Sequence, residues 1–126
     1  MTKTRDVYKC ENCGNVVFVA DAGEGELVCC GEPMVRLIAK TADFKTEKHV
    51  PVVEKTDSGI KVTVGSTPHP MTEEHHIVMI AVCEGNEMMV HWLNPGDEPV
   101  AEFSCTDAGV RACEYCNVHG LWTNKN

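Results

Sequence analysis

Cys10-Glu11-Asn12-Cys13, followed after fifteen residues by the adjacent pair Cys29-Cys30, restricts what this chain can fold into more than any other stretch. Four thiolates gathered so closely can close a tetrahedral metal cage. A segment of roughly 40 residues rarely buries enough apolar surface to fold unaided, so the cage would supply folding free energy as well as chemistry. Neighbouring cysteines reach one metal only where the backbone kinks, and a kink with distorted S–metal–S angles is therefore predicted at Cys29-Cys30-Gly31. Val16-Val17-Phe18-Val19-Ala20 and Glu26-Leu27-Val28 flank the small and acidic stretch Asp21-Ala22-Gly23-Glu24-Gly25. This pattern predicts a hairpin with one cysteine pair at each end.

With 126 residues the chain has room for such a stapled domain, 1–36, beside a second domain, 37–126. Hydrophobic residues make up 43% and charged residues 24%, a globular balance that excludes disorder. A formal net charge of −8, with 11 scattered basic residues, argues against nucleic acid. The longest apolar run, Ile77 to Cys83, falls short of the roughly 18 residues a membrane span requires. Met1 to Asp6 leads into Val7-Tyr8-Lys9-Cys10 with no apolar signal region. The eight cysteines accordingly read as metal ligands and reduced thiols of a cytoplasmic protein.

From Pro51 onward the pattern is β. Ile60-Lys61-Val62-Thr63-Val64 alternates, and Ile77 to Val82 is a continuous apolar run fit for a central strand. Met88 to Leu93 and Val100 to Phe103 follow. Turn residues separate them at Asp57-Ser58-Gly59, Glu84-Gly85-Asn86 and Asn94-Pro95-Gly96-Asp97. About seven short strands so spaced predict an all-β chain whose second domain is an immunoglobulin-like β-sandwich.

A second set of soft donors lies in that domain: His49, His69, His75, Cys116 and His119, each beside a loop or strand end. A single histidine is more often a surface or core residue than a ligand, but Cys116-x-x-His119 has the spacing for sulfur and imidazole to face one ion. Strand parity lets either His75 or His76, but not both, face it. Cys113 makes a further C-x-x-C with Cys116, which also reads as a redox or zinc motif; on an extended strand the two point to opposite faces, leaving Cys113 structural. Cys83, Cys105, His91, Met79, Met88 and Met89 read as structural residues of strands.

The first 36 residues, through Cys10-x-x-Cys13 and Cys29-Cys30-Gly31, resemble the desulforedoxin family, a small rubredoxin-like fold with an Fe(Cys)4 site. Lys48-His49-Val50-Pro51, His69-Pro70-Met71, His75 and Glu114-Tyr115-Cys116-Asn117-x-His119-Gly120-x-Trp122 resemble the superoxide reductase family, and the whole chain is similar to the two-iron desulfoferrodoxins. The resemblance implies two iron ions, Fe(Cys)4 and Fe(His)4(Cys). In the second, His49, His69, His75 and His119 would be equatorial, Cys116 axial, and the position opposite Cys116 open to superoxide. It also implies a flexible Glu47 that reaches the sixth position and a Lys48 near the open face. Lys48 has a physical rationale too, because a local cation offsets a negative protein's repulsion of an anion at close range.

The donor set carries weight without the resemblance: four imidazoles and a thiolate exceed the four ligands of closed structural zinc and suit a redox-active iron. The activity expected is one-electron reduction of superoxide to hydrogen peroxide, with electrons from an external donor such as rubredoxin and the Fe(Cys)4 site as an auxiliary relay. A homodimer is expected through the small domains. A non-catalytic iron electron carrier and a structural zinc-binding interaction module remain the alternatives.

Overall fold

The computed structural model describes residues 2–41, 49–65 and 69–125. The chain divides into two compact units, Met1–Ile38 and Ala39–Asn126, and every regular element among the described residues is a strand.

In the first unit, β1 (Val7–Lys9) lies between β2 (Val16–Phe18) and β5 (Val35–Leu37), antiparallel to both, while β3 (Val28–Cys29) pairs with β4 (Glu32–Pro33). The expected hairpin between Val16–Ala20 and Glu26–Val28 is not formed. Instead each cysteine pair sits at its own chain reversal: Cys10 and Cys13 lie in the loop between β1 and β2, and Cys29 ends β3 with Cys30 in the turn to β4. The two-residue turn Cys30-Gly31 closes β3 onto β4, and the loop of residues 10–15 closes β1 onto β2, so the longer acidic stretch does not close either reversal. The kink expected at the adjacent pair is present, since Cys30 has φ 54° and Gly31 φ 75°.

Among the described residues the second unit is a two-sheet sandwich of seven strands. One sheet has the order β10 (Val100–Phe103), β7 (Ile60–Val64), β6 (Pro51–Lys55); the other runs β12 (Gly120–Thr123), β11 (Arg111–Cys116), β8 (Ile77–Glu84), β9 (Glu87–Trp92). All pairings within both sheets are antiparallel. Alternation in β7 points Ile60, Val62 and Val64 inward, where they meet Ile80 and Val82 of β8, Ala101 of β10 and Ala112 of β11. β8 is buried along most of its length, as its unbroken apolar run requires. Gly59 lets β10 pass closely, because a Cβ there would overlap the Phe103 carbonyl. Met79 is buried and Met89 packs against the core, whereas Met88, on the edge strand β9, is exposed.

Register gathers five chain segments at one end of the sandwich. Pro51 opposes Val64, and Cys116 opposes both Ile77 and Gly120. The start of β6, the loop after β7, the start of β8, the end of β11 and the start of β12 therefore meet there. The β11–β8 register slips between Tyr115 and Cys116, a bulge that re-aims the last residue of a central strand.

Candidate metal centres

In the first unit the Sγ atoms of Cys10, Cys13, Cys29 and Cys30 all lie within 4.8 Å of one another. Cys13 and Cys29 are 3.6 Å apart and Cys29 and Cys30 3.9 Å. Four sulfurs each about 2.3 Å from one metal in a tetrahedron stand about 3.8 Å apart, so the spacing is that of a metal cage. The backbone N–H of Cys13 donates to Cys10 Sγ at 3.4 Å, and this bond is the main reason the Cys10 thiol is held down at about 7. Cys29 is pushed up to about 12, chiefly by the neighbouring sulfurs of Cys10 and then Cys13. A thiol ligates as its thiolate, so a cation entering the cage displaces protons from the sulfurs. Cys13 and Cys30 are exposed, Cys10 buried.

In the second unit one donor atom from each of His49, His69, His75, Cys116 and His119 lies within 4.8 Å of every other. The imidazoles form a ring in the order 49–69–75–119. Adjacent centroids are 4.5, 4.8, 5.0 and 4.8 Å apart, and His49 faces His75 across the ring at 6.5 Å. Adjacent rings stand steeply to each other while the facing pair is nearly parallel, at 24°. His49 Nε2 is 2.9 Å from His69 Nε2 and 3.1 Å from His119 Nδ1. Two nitrogens about 2.1 Å from one ion and at right angles lie about 3 Å apart, so these pairs fit as adjacent ligands.

Local structure explains each donor. Pro70 O can only accept, so the 2.7 Å contact requires His69 Nδ1 to carry the proton and leaves Nε2 free to ligate. His119 presents Nδ1, the nitrogen nearer its backbone, as suits a residue three positions from Cys116. The turn between them closes at Gly120, whose φ of 87° few other residues tolerate. His119 N–H points back at Cys116 Sγ, 3.4 Å away, the same N–H···S contact that Cys13 makes to Cys10. Fully buried His49 stacks on the equally buried Trp122 of β12, with centroids 4.7 Å apart and planes 14° off parallel.

His75 and His76 lie in the bend before β8, not in a strand, so strand parity does not select between them. The selection comes from hydrogen bonds that sequence reasoning missed. Asn117 accepts the His76 N–H at 2.9 Å through Oδ1, donates to Glu74 O at 3.1 Å through Nδ2, and sends its own N–H to His76 O at 3.2 Å. Thr72 Oγ1 receives the His75 N–H and donates to His75 O, both at 3.2 Å. A small polar residue beside each ligand segment was the available signal.

Cys113 and Cys105 are buried outside both clusters, and burial raises both thiols, Cys113 to about 11. Cys83 is half-buried and His91 exposed. Glu47 and Lys48 lie outside the described residues.

Family descriptions agree with this division. Desulfoferrodoxin, N-terminal domain, matches residues 2–37, and Desulfoferrodoxin matches 41–125. A desulfoferrodoxin homolog of Methanothermobacter thermautotrophicus is 51% identical over 125 residues, spanning 97% of this chain and 99% of the relative. A superoxide reductase of Pyrococcus horikoshii is 37% identical over 111 residues, spanning 73% of this chain and 96% of the relative. Among solved structures, superoxide reductase from Treponema pallidum superposes with a TM-score of 0.78 at 31% identity, covering 95% of this chain and 97% of the other.

Proposed function

The chain belongs to the desulfoferrodoxin family, and from that premise we propose that it is a superoxide reductase whose reaction centre is the cage of His49, His69, His75, His119 and Cys116. The carrying observation is the ring of four imidazoles with a thiolate beside it, a donor set one larger than closed structural zinc uses. Iron held there would supply the electron that, with two protons, turns superoxide into hydrogen peroxide. The protein's own part is to fix the donors. Pro70 sets the His69 tautomer, the His119 amide points at the Cys116 sulfur, Trp122 holds the His49 ring in plane, and Asn117 and Thr72 hold the His75 segment.

Cys10, Cys13, Cys29 and Cys30 would hold a second iron, which would supply an auxiliary one-electron centre, and exposed Cys13 and Cys30 would give it a short path to a small external donor of the rubredoxin kind. Glu47 and Lys48, which immediately precede His49 in sequence, would serve the reaction as the family resemblance implies, Lys48 as a local cation that attracts the anionic substrate and Glu47 as a carboxylate able to reach the iron. Eight free thiols suit a reducing cytoplasm, and no helix among the described residues is long and apolar enough to cross a membrane. The first unit leaves Val17, Phe18, Val28 and Val35 exposed on short strands, which favours a homodimer through this unit. Metal analysis with the visible spectrum, before and after reduction, tests the assignment. Two irons per chain and bleachable ferric–thiolate absorption are expected, whereas colourless zinc protein would overturn it.

A further inference from the structure

One surface residue touches the supports of two of the four imidazoles. Lys40 runs beside β12, held by hydrogen bonds from its N–H to Leu121 O and from Thr123 N–H to its own carbonyl, both at 2.9 Å. From this fixed base the side chain folds back so that Nζ donates to His119 O at 3.0 Å. The same ammonium stands 5.0 Å from the centroid of the Trp122 indole. Trp122 Nε1–H donates to the same His119 carbonyl at 3.2 Å, and the Trp122 ring is the one stacked on His49. Two donors and a cation–π contact therefore converge on one ligand's carbonyl and on the other's stacking partner.

We propose that Lys40 is a positioning residue of the His/Cys centre, fixing the His119 turn and the Trp122–His49 stack and placing a positive charge behind the ligands. The inference rests on the reading of that cage as an iron site. Nothing about Lys40 in the sequence signals this role: it lies 79 positions from His119 and in no ligand motif. Its charge has a definite sign of effect, because a nearby cation stabilises ferrous over ferric iron and so raises the reduction potential.

The test is Lys40→Met beside Lys40→Arg in the iron-loaded full chain. Lys40→Met is expected to lower the midpoint potential of the His/Cys iron and to shift the ferric thiolate band. Lys40→Arg, which keeps charge, donor and stacking capacity, is expected to preserve both. A readout free of iron comes from the metal-free protein carrying Trp92→Phe, where Trp122 is the remaining tryptophan: its emission should shift in Lys40→Met and be restored in Lys40→Arg. An unchanged potential and band in Lys40→Met, or an arginine variant displaced as far as the methionine one, would overturn the proposal. Absence of superoxide reduction by the parent protein would instead overturn the functional reading, leaving the potential and emission shifts as independent measurements.

Discussion

His75 and His76 are chemically identical neighbours with different positions. His75 supplies a donor within 4.8 Å of the other four, while His76 is absent from that cluster. Removing His75 opens the ring of imidazoles at one corner, so His75→Ala should lose most of the iron of this site and its spectrum. His76→Ala should keep both and cost stability alone, a contrast that iron analysis of the two purified variants decides. The reverse pattern would move the ligand set by one residue. Lys48 differs in kind, because it is no ligand and its expected role is electrostatic. Lys48→Ile should retain iron yet slow the bimolecular reaction of ferrous protein with superoxide. It should also flatten the decrease of that rate with added salt, since salt screens an attraction the variant lacks. Rates across a salt series after pulse-radiolytic generation of superoxide measure both effects; an unchanged slope would reduce Lys48 to a solvated surface charge.

At the scale of elements, the cage depends on a clasp between the bend that carries His75 and the turn that carries Cys116 and His119. Asn117 makes two side-chain hydrogen bonds across it. Each such bond contributes about 1 kcal/mol, so Asn117→Ala should lower the stability of the metal-free protein by roughly 1–3 kcal/mol. It should also weaken metal retention at this site while leaving the four-cysteine site untouched. Denaturant melts and competitive metal titration check the two parts separately. The elements also mark where sequence reading stops. Ile60 to Val64 and the Ile77 run were legible as strands because their burial follows alternation or continuity in the residues themselves. The hairpin assigned between Val16–Ala20 and Glu26–Val28 failed because β2 pairs with β1 and β3 with β4, and pairing partners leave no trace in local periodicity. The cysteine and histidine donors were legible from spacing and family resemblance, whereas Asn117, Thr72 and Lys40 act through backbone groups that any residue offers, so only coordinates reveal them.

For the whole molecule, two compact units each bring together a complete donor set, four sulfurs in Met1–Ile38 and four imidazoles with a sulfur in Ala39–Asn126. Neither set borrows a residue from the other unit. Cys13→Ser should therefore strip or loosen the first iron, since three thiolates leave the metal open to water, without changing the spectrum of the second or its reaction with superoxide. Loss of both irons together would show that the units are not independent. Product stoichiometry distinguishes reduction of superoxide at the His/Cys centre from electron relay and from dismutation of the radical. Reduced protein is mixed with pulse-generated superoxide, and hydrogen peroxide and dioxygen are quantified together against the electrons withdrawn from iron. One peroxide is expected for each superoxide and each electron lost, with no dioxygen evolved; peroxide and dioxygen in equal amounts, or superoxide decaying at its uncatalysed rate, would rule out a superoxide reductase.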